Sequence, residues 1–180
     1  MANTVLDNPQ IQIINSLIRE GKFKEALIYI EKGLGVELEP TSILTLDLEN
    51  LLNMELVLAY ITTKRLLGFT DEVIQVTEAL LESVFDESHE VKILEEMGMA
   101  YNDKGDLNKA YEVFSKIKEL PLLMESKEDW ARIQRRSGRI HWQWGNLNHA
   151  EKHAKEAIEV FNQQNNEEEL AYTLSLLANV

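Results

Sequence analysis

DKGDLNKAYEVFSKI, residues 103–117, carries the pattern that decides the fold. Gly105 sits in a polar turn, and Ala110, Phe114 and Ile117 follow it at offsets of five, nine and twelve. Steps of four and three keep those side chains on one face of a helix. Glycine takes the left-handed backbone that ends one helix and turns into the next. Asp106 stands where a helix cap is wanted. Upstream, Tyr101 and Gly98 lie four and seven residues before the glycine, on a second helix.

The pattern recurs. REGKFKEALIYIEKGL (19–34), LLGFTDEVIQVTEALL (66–81) and QWGNLNHAEKHAKEAI (143–158) align on Gly21, Gly68 and Gly145. Offset five holds Ala26, Val73, Ala110 and Ala150, and offset nine holds Ile30, Thr77, Phe114 and Ala154. Offset twelve holds Gly33, Leu80, Ile117 and Ala157, and the place seven before the glycine holds Ile14, Ile61, Gly98 and Gly138. Small residues at the crossing let two helices approach, and bulky ones fill the wedge between hairpins. One hairpin cannot bury its own apolar face, so neighbours must stack.

This spacing resembles the tetratricopeptide repeat, over roughly residues 7–180. GDLNKAYEVF with Gly98 and Tyr101 is the best match, followed by GNLNHAEKHAKEA with Gly138. The first repeat has Ile14 where a small residue is usual. The second has Ala59 nine before its glycine, which implies a two-residue insertion or another register. Glycine-to-glycine steps near 40 resemble the longer-period class of bacterial signalling regulators and some eukaryotic adaptors. The resemblance implies an all-α, right-handed superhelical solenoid of antiparallel hairpins, with about nine helices. The repeats expected are 7–40, 42–85, 89–120 and 127–164, with a partial one at 167–180.

Composition agrees. Hydrophobic residues make up 44%, enough for a core, and only 3 Pro interrupt the 180 residues. The absence of cysteine removes disulfides, thiolate zinc sites and thiol catalysis. A net charge of −13 opposes nucleic acid and anionic membranes. The first ten residues, MANTVLDNPQ, lack the basic start and apolar stretch of a secretion signal. No run is long and apolar enough to span a membrane, so a cytoplasmic location is expected.

Capping signals place the helices. Asn8 caps and Pro9 opens the first, which runs to about 20, and the second covers 23–33. GVELEPT is read as a linker, and the apolar stretch 42–66 as one long helix. Thr70 is expected to cap a helix over 71–85, DESHE to form a turn, and the fifth helix to cover 89–103. Asp106 caps 107–119, with Pro121 as a stop. Ser126 with Asp129 forms a capping box for 127–144. The eighth helix covers 147–163, Asn165-Asn166 breaks it, and a ninth opens near Glu167. That last helix reads as the first half of another repeat, so the chain is read as part of a longer protein. Its apolar face could also pair with a second copy.

In the resembled architecture the first helix of each hairpin lines a concave groove. The groove face then carries Arg132, Arg135, Arg139, Trp142 and Gln143, flanked by Arg136. It carries Lys92, Glu95, Met99, Asn102 and Asp103 on the fifth helix, and Asn8, Ile11, Asn15, Ile18 and Arg19 on the first. Guanidinium groups grip carboxylates through a planar fork, and tryptophan supplies hot-spot area. An acidic or C-terminal peptide segment is the expected ligand. The rival is internal ion pairing: Glu128 and Asp129 lie within one turn of Arg132, and Glu95 could face Arg135. Some family members clamp chaperone C-termini with Lys and Asn. Here Asn15 fits, but Ile11 replaces Lys, and Glu96 and Arg136 occupy the later places, so that role is not expected.

No catalytic constellation, cofactor or metal site is expected. HEVKI at 89–93 has Ile93 where a zinc-protease helix needs its second histidine. His149 and His153 have a chelating spacing but lie on a face expected to be convex and solvated. No phosphate loop or nucleophile elbow occurs. The functional expectation is a scaffold that binds a protein or peptide partner. The alternative is a peptide-sensing regulatory domain of a larger signalling protein.

Overall fold

The computed structural model describes residues 8–37, 39–83 and 86–180. The expected start of the first repeat at 7 lies outside the described residues, and the helix expected to run to about 85 ends earlier, at Leu81, where turn bonds from Glu82 and Ser83 close it. Those described form eleven helices and no strand, grouped in two compact units, Met1–Asp103 and Lys104–Val180.

The first unit holds α1 (Pro9–Arg19), α2 (Phe23–Leu34), α3 (Pro40–Ile43), α4 (Leu51–Leu66), α5 (Thr70–Leu81) and most of α6 (Glu87–Lys104). The Asn8 side chain accepts from the Gln10 N–H and opens α1 as expected. The hairpins α1–α2 and α4–α5 turn at Gly21 and Gly68, both left-handed. Ile14 and Ile61, each seven before a turn glycine, are fully buried, whereas Ala59 is only partly so. Both hairpins therefore keep one register and accept a large aliphatic side chain at the crossing. No insertion is needed.

The expected long helix over 42–66 does not form. Residues 44–50 leave the helix because short polar side chains offer the backbone other partners. Asp47 accepts from the Glu49 N–H, and Asn50 from those of Leu52 and Asn53. Thr70 likewise does not cap α5: it lies inside the helix, and Phe69 holds the cap position with no side-chain bond. DESHE is helical from Glu87, because Asp86 accepts the first backbone bonds. Arg65 stitches α4 to α6, pairing with Glu96 at 2.7 Å and Asp103 at 3.1 Å.

The second unit holds α7 (Leu107–Lys118), α8 (Pro121–Glu125), α9 (Lys127–Gln143), α10 (Leu147–Gln164) and α11 (Glu167–Ala178). Asp106 and Ser126 cap α7 and α9 through their side chains, as read from sequence. Pro121 opens the short helix α8 instead of only ending α7, a role that its missing N–H permits. Ala150, Ala154 and Ala157 are fully buried, which brings α10 close to α9. Gly145, at φ +74, turns between them in open space. Gly145→Ala therefore meets no clash and costs only left-handed strain, ~1–2 kcal/mol. Urea titration should show a lower midpoint with an unchanged slope.

The last helix is docked at three levels. Phe161 of α10 is fully buried with Ala131 and Ala157, and Trp130 of α9 and Leu170 of α11 pack against this cluster. Asn166 accepts from the Glu169 N–H and donates to Glu128 of α9 at 2.6 Å. Trp142 of α9 donates its indole N–H to the Asn179 carbonyl at 3.0 Å.

Candidate functional site between α9 and α11

The arginine face of α9 is set by its 3.6-residue repeat: Arg132, Arg135, Arg139 and Trp142 follow one another around one side. Each meets different surroundings. Arg132 pairs with Asp129, one turn away, at 2.6 Å. Arg135 is buried, holds Glu169 of α11 at 2.9 Å, and lies over the Tyr172 ring with 5.6 Å to its centroid. Arg139 is exposed, and no carboxylate among the described residues pairs with it. Trp142 and Gln143 are exposed.

Arg135, Arg139 and Trp142 line one cavity of about 240 Å³. The opposite wall comes from α11: Tyr172, Ser175 and Asn179, with Leu176 at the base. Tyr172 is 58% exposed and Trp142 38%, so two aromatic edges stand open beside a free guanidinium. This volume lies below the ~300–1,000 Å³ of pockets for drug-sized ligands and suits one or two peptide side chains. The chemistry on offer is a cationic fork, amide and hydroxyl groups, and apolar flanks.

Sequence reading missed the α11 wall. The signal was present, since α11 reads as the first helix of a further hairpin, whose face lines a groove. Other expected groove residues fall elsewhere. Asn8 is used as a cap, and Ile11 is buried at 2% because it packs inward. Glu95, expected on the open stripe, is also buried. Lys92 is held by Glu55 at 2.7 Å; Met99 and Asn102 are half-buried on α6 in the first unit, outside this cavity. A larger hollow of about 600 Å³ lies in the first unit among Leu44, Leu46, Leu48 and Leu51. Its charged lining is Asp47, Glu49 and Asp86, with no Lys or Arg to hold an anion.

The expectation of a convex, solvated histidine pair is corrected. His149 is exposed, but His153 is half-buried, and His141 of α9 joins them in a stack. The cause is the close α9–α10 approach, which brings in a ring from the other helix. Among the described residues no group of three or more His, Cys, Asp or Glu is arranged to hold a metal ion.

Among the described residues no helix is long and apolar enough to cross a membrane. No curated protein matches the chain. The tetratricopeptide repeat family model matches residues 91–121 and 131–164. These spans take in most of α6 with α7, and most of α9 with α10. Such repeats mediate protein–protein interactions, and the proteins that carry them are typically non-enzymatic scaffolds. These two matches support a tetratricopeptide repeat assignment for the segments they cover.

Proposed function

We propose that this protein recruits a partner by holding an acidic or C-terminal carboxylate-bearing segment in the α9–α11 cavity. The observation that carries the reading is Arg139: an exposed guanidinium with no carboxylate partner among the described residues, in a chain of net charge −13. An acidic protein ordinarily satisfies its surface arginines internally, as Arg132 and Arg135 are. Arg139 takes the carboxylate, Trp142 and Tyr172 flank the neighbouring side chain, and Arg135 holds the wall in place. Gln143 and Arg132 extend the contact along α9. Lys92, Met99 and Asn102 are proposed as separate contacts on the first unit. The setting proposed is the cytoplasm.

Selection from a random peptide library on the immobilised chain tests this reading. The expected result is enrichment of acidic or free C-terminal sequences, with affinity that falls as ionic strength rises. Enrichment of neutral sequences with no salt dependence contradicts it. A regulatory role finds support in the same cavity, because half of it comes from α11. A ligand that bridges α9 and α11 stabilises the docked helix, and ligand binding is thereby linked to its position. Self-association through the outer face of α11, where Leu174 is 47% exposed, belongs to the same proposal. Sedimentation across a concentration series reads it.

A further inference from the structure

We propose that the stack of His141, His149 and His153 is an acid-operated switch that loosens the seam between α9 and α10.

The geometry sets the rings face to face. His141 of α9 lies 5.2 Å, centroid to centroid, from both His149 and His153 of α10, with interplanar angles of 28° and 13°. Nitrogens in nearly parallel rings point along the ring planes, not at a shared point between them, so this arrangement gathers charge instead of chelating. Tyr111 of α7 and Trp144 enclose His141 edge-on at 5.3 and 5.4 Å. The Nδ1 atoms of His141 and His153 are buried and find no hydrogen-bond partner among the described residues. Neither do Oε1 of Gln134 and Oγ of Ser137. The seam is thus close-packed and poorly satisfied, which is where an added charge is least tolerated.

The neighbouring charges have the wrong sign to help. Burial holds His141 below the ordinary histidine range, reinforced by His149 and by Lys118 of α7. Burial pushes His153 down to about 4, reinforced by Lys118, His141, Lys152 and His149. Lys118 is itself pushed down by burial, opposed by the Glu156 carboxylate. Glu156 is already engaged by the side-chain amide of Gln134. His149 has the Asn146 side-chain oxygen 2.9 Å from its Nδ1. At the Gly138 end of the seam α11 contributes Leu176, which is apolar.

The sign follows directly. A group whose pKa is lower in the folded state leaves the unfolded chain binding more protons, so stability is lost as pH drops. For His153 that window runs from 6.5 down to about 4. At neutral pH His141 and His153 are uncharged and pack; as pH falls, their protonated rings repel each other and Lys118. Because α9 carries Arg139 and Trp142, loosening the seam also moves one wall of the proposed peptide site. That consequence alone rests on the functional reading above.

The test uses the full chain. Histidine ring titration by NMR should place His153 near 4, well below an ordinary ring. Amide exchange along α10, corrected for its intrinsic pH dependence, should lose about tenfold to a hundredfold protection between pH 7 and pH 5. In His141→Gln/His153→Gln, whose side chains stay neutral, that protection should be retained. Lys118→Met, which leaves the rings intact, should move the His141 and His153 titrations upward. His141 and His153 both titrating near 6.5, or a double variant that loses protection in step with wild type, overturns the switch. So does Lys118→Met leaving both titrations where they were. Binding of a library-selected acidic peptide, read at pH 7.5 and pH 5.5, separates the two claims. Loss of seam protection with an affinity indifferent to Arg139→Ala sinks the peptide site and leaves the switch standing.

Discussion

Phe161→Ala is expected to cost about 3–5 kcal/mol, the usual range for emptying a fully buried phenylalanine site. The side chain is wholly buried and joins three helices: Ala131 and Trp130 of α9, Ala157 and Val160 of α10, and Leu170 of α11. Its neighbours limit relaxation. Two are alanines, which have no length with which to fill the hole, and a residual void carries its own cost. The effect should also be local. Amides of α11 should lose protection before those of α10, because α11 depends on this cluster and on end contacts, while α10 also keeps its alanine seam with α9. Urea unfolding gives the size and hydrogen exchange gives the place. A loss under ~1 kcal/mol would mean that α11 does not dock through Phe161.

Arg135→Ala is expected to cost about 2–4 kcal/mol, near the range for breaking a buried ion pair by deleting one member. Its guanidinium holds Glu169 at 2.9 Å, with the two side chains 11% and 20% exposed. Deletion leaves the Glu169 carboxylate poorly solvated and also strips the cation from the Tyr172 ring, a contact worth ~0.5–1 kcal/mol. Arg135→Ala and Glu169→Ala should therefore not add. Once one partner is gone, the other has less to lose, so the double variant should recover ~1–2 kcal/mol of the summed losses. Additive losses in thermal or urea unfolding would mean that the pair does not hold α11. Peptide binding cannot be read cleanly from Arg135, because its removal disturbs the cavity wall.

That distinction bears on the two explanations of the arginine face. Internal pairing accounts for Arg132 and Arg135. It does not account for Arg139, which has the same residue type and periodicity but no paired carboxylate among the described residues. Sequence spacing alone could not separate them. Arg135 is paired because Glu169, thirty-four residues later, stands in the first turn of a helix that packs across it.

Legibility in the sequence follows how local the causes are. Asn8, Asp106 and Ser126 act as caps where they were read, because a cap depends on its own next few residues. The turn glycines were equally plain. The break at 44–50 was hidden because leucines at 44, 46, 48, 51 and 52 suit an apolar helix face. Asp47 and Asn50 decide the matter through bonds that reach only two or three residues ahead. Ile11 is buried, not on the groove face: a groove offset says nothing about which neighbour covers it. The histidine stack shows the same limit. His149 and His153 are visible as a pair, but His141 joins them only when small residues bring α10 against α9. In each miss, the decisive partner lies on another helix or in a competing local hydrogen bond.

The central claim is that Arg139 is the anion-holding residue of a peptide site. It is tested most directly by titrating one library-selected acidic peptide into wild type and Arg139→Ala. Exposure of Arg139 predicts unfolding curves that agree within ~0.5 kcal/mol. Loss of a charge-assisted contact predicts an affinity lower by about tenfold to a hundredfold. Equal affinities for the two proteins, with unfolding unchanged, would contradict the account.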